Sequence, residues 1–145
     1  MSETAAPARG ILLAHGDMAE GIVDAVRRIT GAGPEVLVPL SNRGLAPPAL
    51  ADAVRSRIDA GGGPVILFTD LPSGSCGFAA RMLSREFPDL VIVSGVNLAV
   101  LLEFVVSREL PVAQLVPRLL EKGRASVGCA PANLESNADP AVSRG

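Results

Sequence analysis

A short apolar run followed by a polar turn lies near the start of the sequence, Gly10-Ile11-Leu12-Leu13-Ala14-His15-Gly16-Asp17. Its first five residues have the length and composition of a buried strand. Apolar residues then recur at helical spacing: Ala19, Ile22, Val23, Val26 and Ile29. We expect Asp17 to cap this helix and Glu20 to complete a capping box. His15, the only histidine of the chain, is therefore predicted to lie in the turn between a strand and a helix.

The same alternation of strand and helix continues along the chain. Further strands are predicted at Glu35–Leu40, Val65–Thr69 and Leu90–Val93. Strict alternation predicts an α/β fold with parallel strands and right-handed crossovers. We expect a flavodoxin-like, doubly wound sheet of four parallel strands in the order 2-1-3-4.

Four further helices are predicted between and after these strands. One opens at Pro47-Pro48, and one follows the loop 70–76 and buries Phe78, Ala79, Met82 and Leu83. Another runs from Leu98 to Ser107, with Asn97 as its N-cap or as a binding residue. The last closes at Gly123, and its regular part is expected to begin close to Pro117, because proline disrupts a helix interior.

His15 and Asp70 are expected to face each other, because strands 1 and 3 are neighbours in this strand order. A carboxylate that accepts a hydrogen bond from one ring nitrogen fixes the imidazole tautomer and leaves the other nitrogen free. In the loop that follows, Gly74 and Ser75 are candidates to bind an anion through backbone N–H groups and a hydroxyl. The alternatives are structural: His15 as a cap or packed ring, Asp70 as a turn former, and the loop as a tight turn.

Composition narrows the functional classes. The chain of 145 residues has a net charge of −2 and lacks Trp and Tyr, which argues against a nucleic-acid-binding surface. No apolar run approaches the roughly 18 residues of a membrane span, and no signal peptide is apparent, so we expect a cytoplasmic protein. Cys76 and Cys129 have no metal-ligand spacing, so we expect reduced thiols and no metal or cofactor.

Three segments together resemble the mannose-type IIA domain of the bacterial phosphoenolpyruvate-dependent sugar phosphotransferase system. They are Ala14–Gly21, the loop that begins at Asp70, and Ser94–Glu103. The resemblance covers about Gly10 to Val127. It is specific because the segments occur in the right order and on the right types of element.

The resemblance implies a phosphoryl carrier. His15 would accept a phosphoryl group from the histidine-containing phosphocarrier protein and pass it to a IIB partner. Asp70 would orient the ring, Ser75 would help to hold the phosphoryl group, and the only bound group would be the transient phosphohistidine. It also implies a homodimer and a C-terminal antiparallel edge strand, which Arg124–Val127 would supply.

The active-site loop departs from the family pattern at two positions. Ser73 replaces a glycine and Cys76 replaces a proline, whereas His15, Asp70, Gly74 and Ser75 are retained. We expect an N-terminal tail at residues 1–8, the IIA domain at 9–127, a flexible C-terminal tail at 128–145, and no fused IIB domain.

Two other functional classes are compatible with parts of the sequence. One is a regulatory module in which the phosphorylation state of His15 signals to a protein partner without sugar transport. The other is a small chelatase with a His-Gly pair after an early strand, although Asp17-Met18 does not fit that motif. A hydrolase elbow at Ser73–Gly77 is disfavoured, because the only histidine precedes the serine.

Overall fold

The computed structural model describes residues 6–136, in which four strands alternate with helices. The strands are β1 (Arg9–Ala14), β2 (Leu37–Ser41), β3 (Val65–Thr69) and β4 (Val91–Ser94). The helices are α1 (Met18–Thr30), α2 (Pro47–Asp59), α3 (Gly74–Glu86), α4 (Leu98–Ser107), α5 (Val112–Ala125) and the short α6 (Asn133–Ser136).

All four strands are parallel and lie in the order β2-β1-β3-β4, so the predicted α/β topology is confirmed. Leu13 of β1 lies opposite Thr69 of β3. His15 and Asp70 therefore emerge just beyond the paired ends of the two central strands, at the carboxyl edge of the sheet. Ligands bind at this edge in open α/β folds.

The sheet separates two hydrophobic clusters. Leu12 and Ala14 of β1 face the cluster formed with α1, α4 and α5, whereas Ile11 and Leu13 face the cluster formed with α2 and α3. This alternation follows from the two-residue period of a strand. In the first cluster the rings of Phe68 and Phe104 pack edge to face, with centroids 5.1 Å apart.

Phe78, predicted to be buried, is 50% exposed, and Ile29, the last apolar residue of the periodic pattern in α1, is 62% exposed. At 100° per residue, Ile29 lies roughly 80° from the centre of the buried stripe of α1, and Phe78 lies roughly opposite the stripe that contains Cys76 and Leu83. Each is therefore directed away from the core of the protein.

The predicted capping box at the start of α1 is wrong. Asp17 occupies the N-cap position, but its side chain makes no capping hydrogen bond. Its carboxylate instead pairs with Arg43, with Nη1 and Oδ1 2.7 Å apart. The pair connects the loops that follow β1 and β2.

The predicted C-terminal antiparallel strand is also wrong, because Arg124 and Ala125 lie in α5. The helix extends this far because Leu115, Leu119 and Gly123 are buried at four-residue spacing. It also begins at Val112, five residues before Pro117. Pro117 lacks the N–H that would donate to the carbonyl of Ala113, but Ala113 is exposed, so water can bind that carbonyl while the buried face of the helix continues.

The chain ends beyond these elements are described only in part. Ala8, assigned from sequence to the N-terminal tail, is buried, and its N–H donates to the Arg108 carbonyl at 3.2 Å. Residues 1–5 and 137–145 of the predicted tails lie outside the described residues. Within residues 6–136, no helix is long and apolar enough to span a membrane.

Candidate functional site

The side chain of Asp70 holds His15 through two hydrogen bonds. The His15 backbone N–H donates to Oδ2 at 2.9 Å, and ring Nδ1 lies 2.8 Å from the same oxygen. Oδ1 accepts from the Leu71 N–H at 2.9 Å, which fixes the carboxylate in turn. The histidine side chain is 41% exposed and that of Asp70 only 8%, so the ring faces solvent above a buried carboxylate.

This arrangement gives the two ring nitrogens of His15 different roles. A carboxylate accepts hydrogen bonds, so Nδ1 carries the proton, and the lone pair of the neutral imidazole lies on Nε2. Burial by itself would raise the pKa of Asp70, but the hydrogen bonds from His15 and Leu71 and the attraction of the ring outweigh it. The pKa of Asp70 is therefore lowered, and the group is an anion at neutral pH.

The predicted anion-binding residues form the start of α3. Gly74 is the first residue of that helix and has a left-handed φ of +75°. An added Cβ at Gly74 would lie 3.3 Å from His15 Nε2, so its backbone borders the free nitrogen. The N–H groups of a first helical turn lack intrahelical acceptors and attract anions. Gly74 and Ser75 are thus brought together with His15 and Asp70.

Asn42 links this helix to the histidine loop, and the sequence analysis missed it. Its Nδ2 donates to Ser75 Oγ at 3.0 Å, and its Oδ1 accepts from the Gly16 N–H at 3.1 Å. Because Ser75 Oγ already accepts this bond, its own proton can be donated, either to the neighbouring Cys76 sulfur or to a ligand. The available signal was the polar pair Ser41-Asn42 at the carboxyl end of β2, a strand next to β1.

Cys76 lies under the histidine ring. Its side chain is buried, and Sγ is 3.7 Å from His15 Nδ1. Burial raises the pKa of the Cys76 thiol to about 11, the charge of Asp70 adds to the increase, and a hydrogen bond with Ser75 partly opposes it. The sulfur is therefore a protonated thiol at neutral pH.

Asn97 lies outside the site and caps α4. Its Oδ1 accepts from the Val100 N–H at 3.0 Å, while its Nδ2 donates to the Gly123 carbonyl and to Ser126 Oγ. Of its two predicted roles, the structure shows the cap. Arg81 of α3 donates to the Pro72 carbonyl and lies over the Phe78 ring.

The protein is a doubly wound α/β domain in which a carboxylate holds an exposed histidine beside a helix N-terminus. These features define a class of proteins that can carry an anionic group on imidazole. Comparison with known families identifies the particular one. The sequence model of the EIIA-man family, described as the PTS system fructose IIA component, matches residues 10–118. The chain belongs to this family.

Solved structures agree with the family assignment. EIIA of Streptococcus agalactiae superposes with a TM-score of 0.77 at 25% identity and covers 84% of this chain and 96% of that chain. The mannose/sorbose specific IIA subunit of Enterococcus faecalis gives a TM-score of 0.70 at 29% identity, covering 86% and 95%. The PTS IIA protein associated with the fucose utilization operon of Streptococcus pneumoniae has the same fold, with a TM-score of 0.74 at 18% identity, covering 91% and 99%. A search of curated protein sequences finds no significant match.

The expected resemblance to the mannose-type IIA domain is thereby confirmed. Membership of this family indicates a phosphotransferase component of the sugar phosphotransferase system that works with other components of that system. It favours this class of protein over a chelatase.

Proposed function

We propose that this protein is a phosphoryl carrier in which His15 accepts a phosphoryl group from the histidine-containing phosphocarrier protein and transfers it to a IIB partner. The observation that carries the proposal is the hydrogen bond of 2.8 Å between His15 Nδ1 and Asp70. In the neutral ring it fixes the tautomer that has its lone pair on the exposed Nε2, which is the form that a nucleophilic imidazole requires.

The transfer exchanges one nitrogen–phosphorus bond for another. The lone pair of Nε2 attacks the phosphorus of the donor phosphohistidine, the donor N–P bond breaks, and its electron pair returns to the donor imidazole. The phosphorylated His15 ring keeps its Nδ1 proton and carries a positive charge, which the Asp70 anion stabilises. No proton needs to leave His15, so the reverse transfer is equally accessible.

Gly74 and Ser75 would hold the transferred group. The first-turn N–H groups of α3 supply donors and the positive end of the helix dipole, and Ser75 adds its hydroxyl proton. In this proposal Asn42 is a positioning residue, since it touches Ser75 and the His15 loop rather than the phosphoryl group.

The setting of this reaction is part of the proposal. Transfer between proteins would take place in the cytoplasm, with membranes involved only through a permease complex and no nucleic acid or cofactor required. A homodimer stays a prediction from the family resemblance, and sedimentation equilibrium of the full chain measures it.

Phosphorylation by the upstream carriers tests the proposal directly. We expect the full chain, incubated with phosphoenolpyruvate and those carriers, to acquire an acid-labile, base-stable phosphate on His15. His15→Ala should remove it entirely. Asp70→Asn should slow labelling by about 100-fold, because the amide no longer stabilises the cationic ring.

Ser56→Ala, on the exposed face of α2, serves as a control and should label like the parent protein. Labelling that persists in His15→Ala would contradict the proposal, and so would a phosphate stable to acid. Circular dichroism of each variant shows whether lost labelling reflects lost folding.

A further inference from the structure

Three different metal-ligating atoms converge beneath the exposed face of the histidine ring. They are His15 Nδ1, a carboxylate oxygen of Asp70, and Cys76 Sγ, and all lie within 4.8 Å of one another. The Nδ1–Oδ2 distance is 2.8 Å and the Nδ1–Sγ distance is 3.7 Å. The cluster joins two segments that are far apart in sequence, because His15 follows β1 whereas Asp70 and Cys76 both follow β3.

These separations are close to those of a zinc site. With Zn–N and Zn–O near 2.0 Å, Zn–S near 2.3 Å and tetrahedral angles, N···O is roughly 3.3 Å and N···S roughly 3.5 Å. The nitrogen–sulfur separation therefore already matches such a site, and the ring and carboxylate need to separate by only about 0.5 Å. Mixed N, O and S ligands suit a borderline-to-soft divalent cation and disfavour Mg²⁺.

The packing holds the sulfur in this position. Cys76 lies in the first turn of α3 and is fully buried, in the hydrophobic cluster that contains Ile11 and Leu13. The other thiol, Cys129, is exposed near the end of the chain. The two cysteines thus form a natural pair of test and control positions.

We propose that His15, Asp70 and Cys76 form a binding site for Zn²⁺, with a water as the fourth ligand, and that the bound ion blocks phosphorylation of His15. The ion occupies Nδ1, so the ring proton moves to Nε2, and the Cys76 thiol proton passes to solvent. An Nε2 that carries a proton has no lone pair with which to attack phosphorus. Metal binding and phosphoryl transfer are therefore mutually exclusive at this ring.

The proposed zinc site rests on geometry alone, whereas the proposed inhibition by bound zinc also rests on the phosphoryl-carrier function. Binding is tested first, by calorimetric titration of the full chain with Zn²⁺ alone, in a buffer with a non-thiol reductant. We expect one ion per chain and no heat with Mg²⁺. Cys76→Ser should weaken zinc binding at least about tenfold, while Cys129→Ser should bind like the parent protein.

Cobalt supplies a spectroscopic signature of the same ligand set. With Co²⁺ we expect a thiolate-to-metal charge-transfer band in the near ultraviolet, where a chain without Trp or Tyr absorbs little. The band should disappear in Cys76→Ser and persist in Cys129→Ser. If Cys76→Ser fails to fold, Cys76→Ala takes its place, since removing the hydroxyl avoids a buried polar group.

Phosphorylation with and without Zn²⁺ then tests the inhibitory effect, each variant being compared with itself. Zinc should suppress labelling of the parent and of Cys129→Ser at least tenfold, and should change labelling of Cys76→Ser less than twofold. Equal suppression in all three would show inhibition of the carriers and overturn the inhibitory effect. No zinc binding, or binding that depends on Cys129, would overturn the site. Zinc binding without any labelling of His15 would instead contradict the proposed function and leave the site standing.

Discussion

A single carboxylate defines what His15 can do. Asp70 accepts from both the backbone N–H and the ring of that residue, so one buried anion fixes the position and the tautomer together. Placing two donors on one oxygen also means that rotation of the ring breaks only one of the bonds. The backbone bond keeps the carboxylate in place, which makes the arrangement ready to form again after each transfer.

The backbone of Gly74 controls access to the nitrogen that would be phosphorylated. In Gly74→Ala the new methyl group would lie 3.3 Å from Nε2, on a backbone with φ of +75°. We expect about 1 kcal/mol of destabilisation from the left-handed conformation and at least tenfold slower phosphorylation, because the methyl group crowds the nucleophile. Chemical denaturation and the rate of phosphate labelling measure the two effects separately.

Gly31→Ala is the matched comparison. Gly31 has φ of +76° at the end of α1, and a Cβ there would meet no atom within 4 Å. It should lose similar stability and phosphorylate normally. Equal labelling rates in the two variants would refute a role for Gly74 in access to Nε2.

At this scale the sequence predicted His15, Asp70, Gly74 and Ser75 as neighbours, because each lies at a strand end or in the loop that follows one. Asn42 and the contact of the Cys76 sulfur with the His15 ring were not predicted. Both depend on side-chain directions across three loops, and nothing in the local pattern of any one loop specifies them.

Among the elements, α4 and α5 are joined by Glu103. Its carboxylate accepts from Ser107 Oγ at 2.5 Å within α4 and from Arg118 Nε of α5 at 3.3 Å. The hydrogen bond from Ser107 lowers the pKa of Glu103, burial opposes it, and Arg118 and Lys122 lower it further. The ionised carboxylate is thus the form that stabilises the helix pair.

Stability should therefore depend on pH through Glu103. A carboxyl group whose pKa is lower in the folded state contributes its full stabilisation above the unfolded value and loses it as pH falls through the folded value. We expect Glu103→Gln to melt a few degrees below the parent at pH 7, and the gap to close as the pH falls from about 5.

Glu121→Gln removes the same charge from an exposed position of α5 and provides the comparison for the melting curves. Its melting temperature should stay within about 1 °C of the parent at pH 7. If the melting temperature of Glu103→Gln lies equally far below that of the parent at low pH, the variant is destabilised by altered packing and not by the lost charge.

The types of the elements could be predicted where the apolar pattern was clear. For β3, a continuous apolar run, the limits Val65–Thr69 were predicted without error. Two of the failures concern α5. Pro117 was judged by local propensity and Arg124–Val127 was assigned to a strand from the family resemblance, whereas contacts of α5 with the core and with Asn97 decide the helix limits. Tertiary packing overrides propensity in such cases.

Over the whole molecule, several exposed apolar side chains lie at the carboxyl edge of the sheet, which we propose as the docking face for a protein partner. Met18, Leu45, Leu71 and Phe78 are exposed apolar residues in segments that follow β1, β2 and β3 at the carboxyl edge, around His15. Transfer between two proteins requires that a donor surface close over the histidine and exclude water. Aromatic residues and Met are enriched in such interfaces, and Phe78 and Met18 are of these types.

Phe78→Ala tests whether a protein donor docks at the carboxyl edge of the sheet. Phe78 is half exposed, and its ring supports Arg81, so its loss removes an aromatic contact from the docking face. An interface aromatic contributes about 1.4 kcal/mol or more, so we expect the KM for the protein donor to rise roughly tenfold with little change in kcat. Ile29→Ala removes an exposed apolar side chain from the last turn of α1, at the opposite edge, and should leave both constants unchanged. A fall in kcat at unchanged KM would place Phe78 in the chemistry instead of the docking face, because saturating donor would then not restore the rate.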